Sequence, residues 1–252
     1  MLAITKASVW KRIFAFLLDF ILLTIVATGG ALLVSAITGY TEKTQQLQEY
    51  YTEYEENFDV KFSITKDEYD ALSEQDRAKY DIAYQALIDD QKVIKLFNLI
   101  ITLTIMVTSF GILIAVILTE FVIPLIFKNG QTVGKKVFGL CLCTPDAVKI
   151  SSLSLFIRTI LGKFTLEIMI PVLVIIMIYF NTIGILGPII LALILIVQAV
   201  IFFARGRNQI LHDIMANTIV VDMASTRIFD TNEEMIEYVK EKAAEQAAKE
   251  IY

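Results

Sequence analysis

Apolar positions in this chain fall into long unbroken runs rather than the one-sided stripes of water-soluble helices. The first occupies residues 13–37 and the second 93–118, with an extension toward 127. The third covers 164–180 and the fourth 185–204. A helix that crosses a bilayer needs about 20 apolar residues, so the pattern predicts four spans. The last two are separated by Asn181-Thr182-Ile183-Gly184-Ile185-Leu186-Gly187-Pro188. Asn, two Gly and Pro in so short a space predict a tight turn, and hence a helical hairpin.

The polar stretches between the runs have their own patterns. Residues 40–92 are too long for a plain connector. Thr65-Lys66-Asp67-Glu68 and Ser73-Glu74-Gln75-Asp76 resemble capping boxes, which open helices. Tyr80, Ala83, Tyr84 and Leu87 recur at helical spacing. With no Pro or Gly between Tyr40 and Phe110, a helix from about Ser73 is expected to run unbroken into the second span. A second helix is expected over residues 41–57. Its Tyr50, Tyr51 and Tyr54, with Phe58, would pack on the Tyr80/Tyr84 face or lie at the headgroups.

Residues 128–163 read as a short β-hairpin followed by an interfacial helix. Val137 to Cys143 is apolar and partly β-branched, Thr144-Pro145-Asp146-Ala147 is a turn signal, and Val148-Lys149-Ile150 resumes the strand pattern. Thr218 to Val221 would add a third strand. The apolar stretch 151–163, with Arg158 and Lys163, suits a helix at the membrane surface leading into the third span. The tail from Thr231 is rich in Glu, Lys and Ala and is expected to be an exposed helix or disordered.

These elements define an all-α membrane protein with four transmembrane helices, a helical extracytoplasmic insertion and a small cytoplasmic β-hairpin. Its parts are an N-terminal arm with the first span (1–39), the acidic insertion (40–92), the second span (93–127), the hairpin and interfacial helix (128–163), the third and fourth spans (164–204), a C-terminal segment (205–230) and a polar tail (231–252). Composition agrees: 56% of the 252 residues are hydrophobic and the mean hydropathy is +0.64, beyond the range of ordinary soluble domains. The first run is longer than the apolar region of a cleavable signal and is expected to remain as a span.

Charge orients the chain. Lys6, Lys11 and Arg12 precede the first span without an acid among them. Lys128, Lys135, Lys136, Lys149, Arg158 and Lys163 face only Asp146 in 128–163, and Arg205 and Arg207 follow the fourth span. Residues 40–92 instead hold six basic and fourteen acidic side chains. Basic loops stay in the cytoplasm, so both termini are expected inside, in the cell membrane, and the acidic segment outside. That acidity argues against a nucleic-acid partner. Cys141 and Cys143 would then be reduced strand residues; two thiols are too few for a zinc site, and no metal or cofactor motif is present.

Charged residues in or beside the apolar runs are the candidate chemistry. Arg12 and Asp19, seven residues apart, share one helix face about 10 Å apart along the axis. An ionised Asp in hydrocarbon costs several kcal/mol unless it is paired or faces protein or water. Asp19 is therefore either a structural partner for a group on another helix or a functional acid. Glu120 lies four residues before Pro124 and is expected at the interface. Glu167 sits four residues after Lys163, a spacing that favours a salt bridge. His212, the only His, is either interfacial or a proton relay, and Asp213 is placed to pair with Arg12 or Arg158. Gly130-Gln131-Thr132-Val133-Gly134-Lys135-Lys136 is no phosphate loop: it has three residues between its glycines instead of four, and Lys136 where a hydroxyl belongs. Basic residues near a membrane more often meet anionic headgroups. No nucleophile–base order appears, so an enzyme is not expected.

Taken in order, Arg12-x-x-Ala15-x-x-x-Asp19, Gly130-Gln131-Thr132-x-Gly134-Lys135, Arg158, and Leu211-His212-Asp213 followed by Thr218-x-Val220-Val221 resemble the RDD family of membrane proteins. The family is named for one Arg and two Asp, which the motifs match to Arg12, Asp19 and Asp213. The resemblance covers the first span and residues 128–222, and leaves 40–92 outside it. It implies a membrane-embedded protein with a role in transport. Two functions follow. One is a small transporter or ion/proton exchanger lined by Arg12, Asp19 and Asp213 with Glu120, in which pairing with Arg12 sets the affinity of Asp19; so small a protomer is expected to oligomerise. The other is a non-enzymatic scaffold or accessory subunit, with the Arg–Asp set as a clamp and the external helices binding a protein partner.

Overall fold

The computed structural model describes residues 7–204 and 209–250, the last four of these as backbone alone. Lys6, Arg205 and Arg207, which entered the charge argument, lie outside the described residues. The chain divides into two compact units, residues 1–30 with 111–252, and residues 31–110.

Four helical stretches are long and apolar enough to cross a membrane. The first is α1, Val9–Thr38. The second, Gln91–Phe127, consists of α5 (Gln91–Val116), a π-helical segment (Ile117–Val122) and α6 (Ile123–Phe127). The third, Ser152–Tyr179, runs through α8 (Ser152–Phe156), a π-helical segment (Ile157–Met169) and α9 (Ile170–Tyr179). The fourth is α10, Leu186–Ala204. Asn181 and Gly184, both at positive φ, turn α9 into α10 as the turn signal requires. The expected boundary between an interfacial helix and the third span is absent: 152–179 is one apolar helical stretch whose winding widens over its π-helical part.

The unit 31–110 contains α2 (Tyr40–Phe58), α3 (Lys66–Asp70) and α4 (Glu74–Asp89). Thr65 and Glu68 form the capping box read from the sequence, and the Ser73 hydroxyl accepts the Asp76 N–H. The helix does not run unbroken into the second span. Asp90 is extended and separates α4 from α5. Its carboxylate accepts the Lys92 N–H at 2.7 Å and the Tyr54 hydroxyl at 3.1 Å. An Asp that caps the next helix and ties to a neighbouring one offsets the backbone bonds lost at the break, with neither Gly nor Pro to announce it. The aromatic contacts between α2 and α4 pass through Phe62, which meets Tyr51, Tyr80 and Tyr84 edge-on. Tyr54 stacks on Phe58 instead of reaching the Tyr80/Tyr84 face.

In the other unit, β1 (Leu140–Cys143) pairs antiparallel with β2 (Ile219–Asp222), Leu140 opposite Asp222 and Cys143 opposite Ile219. The predicted third strand is thus the main partner of β1, and the local hairpin is reduced to one bridge between Cys143 and Lys149. Residues 147–149 bond to Phe229 instead: Phe229 N–H donates to Ala147 and Lys149 N–H to Phe229, both at 2.9 Å. Phe229 is fully buried, and its burial draws the segment away from β1. Cys141 and Cys143 are buried free thiols that burial pushes up to about 11 and about 12. Short helices α7 (Val133–Val137) and α11 (Leu211–Met215) precede the two strands. The tail forms α12, Asn232–Glu250.

Candidate functional site

Ionisable side chains from α1, α7, the two π-helical segments and α11 converge in the first unit. Glu120 lies in one π-helical segment; Arg158, Lys163 and Glu167 lie in the other. π-Helical turns in otherwise α-helical elements concentrate at functional sites. Four cations (Arg12, Lys135, Arg158, Lys163) meet four acids (Asp19, Glu120, Glu167, Asp213) around His212. Buried ions need partners, because desolvation costs several kcal/mol for each.

Asp213 is at the centre and fully buried. It sits in the first turn of α11, where one oxygen reaches back to accept the Ile210 N–H at 3.2 Å. The other oxygen pairs with Arg158, and Arg12 stands 3.6 Å from the carboxylate. Arg158 also donates to Thr218 at 3.1 Å and lies 2.8 Å from His212 Nε2. A guanidinium only donates, so Nε2 must accept and carries no proton. The proton is then on Nδ1, which donates to Glu167 at 2.6 Å. Glu167 accepts the His212 backbone N–H through its second oxygen at 3.0 Å. Burial, reinforced by Arg158, holds the imidazole well below its usual pKa, in agreement with this bonding. Gly162 lets α11 come close: a Cβ there would lie 2.6 Å from His212 Cβ and 2.8 Å from its Cα.

Asp19 serves a different partner. One oxygen accepts the Gly134 N–H at 2.7 Å and the other accepts the Thr132 hydroxyl. A Cβ on Gly134 would fall 2.8 Å from Asp19 Cγ, so this approach needs glycine. The Thr132 oxygen in turn accepts from Lys135 Nζ at 3.2 Å, giving a chain from Lys135 through Thr132 to Asp19. Arg12, two turns back along α1, is not what engages these oxygens; donors on the α7 segment are nearer.

The remaining expectations are also revised. Glu120 is buried rather than interfacial and is paired with Lys163. The Lys163–Glu167 pair gives way because a helix-surface pair adds only a few tenths of a kcal/mol, whereas buried Glu120 and His212 have no water to turn to. His212 is buried, not interfacial. Arg12, Asp19, Arg158 and His212 line a cavity of about 110 Å³ together with Lys135, Lys163 and Glu167. Glu120 and Asp213 do not line it. Of these, Lys135, Lys163 and Glu167 were not among the site residues read from the sequence, although Lys135 closes the Gly130-Gln-Thr-x-Gly-Lys motif.

Four apolar helices, and charged side chains gathered where three of them meet the strands, define a multi-pass membrane protein with a buried ionic centre. The RDD family model matches residues 6–217. The chain belongs to the RDD family. No curated protein and no solved structure matches it.

Proposed function

We propose that this protein is a small membrane transporter whose solute or coupling ion occupies the cavity lined by Arg12, Asp19, Lys135, Arg158, Lys163, Glu167 and His212. The observation that carries the reading is the cavity itself: seven ionisable side chains around about 110 Å³, at helix ends whose burial of charge is costly. A purely structural clamp would close on itself and leave no such space. His212 and Glu167, joined by a short hydrogen bond, are groups able to exchange a proton with what enters. The excess of basic residues outside 40–92 supports a cytoplasmic side for both termini and the cavity, with the acidic 40–92 outside. A further copy of the chain completes the pathway. The function is non-enzymatic.

A second reading has its own support. Asp19, Asp213 and Glu120 are each engaged by partners within the chain, as in a scaffold clamp, and the acidic helices α2 and α4 would then bind a protein partner. Proton and ion flux in proteoliposomes distinguishes the two. Transport predicts flux in wild type and at least a tenfold loss in Asp19→Asn. Correctly inserted wild type without flux favours the scaffold.

A further inference from the structure

The hydrogen bonds around the cavity are unevenly used. Each oxygen of its two lining carboxylates already accepts one hydrogen bond: Asp19 from Thr132 and Gly134, Glu167 from the backbone and ring of His212. Its two ammonium groups are less fully used. A lysine carries three N–H donors. Lys135 uses one, on the neutral Thr132 hydroxyl, and among the described residues no carboxylate lies within 4.0 Å of it. Lys163 uses one, on Glu120. Arg12 and Arg158 line the same space. The cavity therefore has ammonium donors to spare, whereas each carboxylate oxygen on its wall already holds a donor.

From this geometry we infer that the cavity binds a phosphate group, held by Lys135 and Lys163 with the guanidinium groups of Arg12 and Arg158. A phosphate presents several acceptor oxygens, and guanidinium and ammonium groups are its usual partners. The space, equivalent to several waters, admits a phosphate group. A metal cation would meet four cationic side chains there, and carboxylate oxygens that each already accept a hydrogen bond. The phosphate comes either from solution or from the headgroup of a phosphatidic-acid-like lipid at the membrane surface. The inference names the solute class for the transport reading and rests on it for its role, but binding is measured without flux.

The test uses the full chain in neutral detergent and in phosphatidylcholine nanodiscs, with inorganic phosphate titrated against chloride at matched ionic strength. Calorimetry and the phosphorus resonance of the ligand report binding. Saturable phosphate binding is expected, weakened at least ~10-fold in Lys135→Gln, since a charge-assisted hydrogen bond is worth about 1.5–3 kcal/mol. Lys135→Arg should stay within a few-fold of wild type, as should Lys136→Gln, whose ammonium lies over the Phe127 ring outside the cavity. Nanodiscs with added phosphatidic acid separate the sources: a lipid ligand blocks the site against inorganic phosphate, and a free ion is unaffected. Folded wild type that binds neither source overturns the inference, as does phosphate binding unchanged in Lys135→Gln. Saturable sodium binding without phosphate binding also overturns it and leaves transport standing. Phosphate binding without any flux upholds it and removes the transport reading.

Discussion

Asp213 answers two guanidinium groups and one backbone N–H with a single carboxylate, in full burial. Replacing it with Asn leaves Arg158 and Arg12 without that charge. Breaking a buried pair from one side costs about 3–5 kcal/mol. Asp213→Asn should therefore lower the thermal midpoint in detergent sharply, and an unchanged midpoint would show that the pair contributes little. His212 gives a pH-dependent counterpart. Its folded pKa is depressed, so the unfolded chain binds the extra proton near the ordinary value of about 6.5. Stability from this group is present above that pH and is lost as pH falls below it. The midpoint should drop between about pH 7.5 and 5.5, and drop less in His212→Gln; the same drop in both proteins would contradict the neutral imidazole. The residue types at these positions were legible in the sequence, because charge beside apolar runs demands a reason. Their partners were not. Arg12 and Asp213 are 201 positions apart, and the preference of Lys163 for Glu120 over Glu167 depends on which acids are buried.

Helices differ in how openly the sequence declares them. The apolar runs were readable because the bilayer sets their length, and the caps at Thr65 and Ser73 because side-chain oxygens replace missing backbone partners. The break at Asp90 was hidden, since it depends on hydrogen bonds to Lys92 and Tyr54 rather than on a helix-breaking residue. The π-helical segments were hidden too: Ile117–Val122 and Ile157–Met169 have the composition of ordinary spans. The pairing of β1 with β2 was suggested by the β-branched residues of 218–221, but the pull of buried Phe229 on residues 147–149 was not. Gly162→Ala must push α11 from the third span, and overpacking of this kind costs about 1–3 kcal/mol. Increased amide exchange across 211–215 would report the displacement; exchange and stability equal to wild type would refute the close contact.

Membrane orientation is a property of the whole chain. The basic residues cluster outside 40–92, and that insertion carries a net charge of −8 from its six basic and fourteen acidic residues. Single cysteines test the sidedness directly, because Cys141 and Cys143 are buried with raised pKa values and stay silent toward thiol reagents. In intact cells an impermeant maleimide should label Ser63→Cys in the insertion and spare Ala224→Cys after β2, both exposed positions. The reverse labelling would invert the topology. Family membership and four spans were legible from motif order and apolar length, whereas the cavity was not, since it arises only where segments far apart in the chain meet. The most direct measurement of the transport claim is ion and proton flux through proteoliposomes of wild type beside Glu167→Gln and protein-free vesicles. Transport through the ionic cavity predicts flux above the protein-free level in wild type and its loss in the variant, with insertion unchanged. Flux equal in wild type and Glu167→Gln, or absent from both, would contradict it.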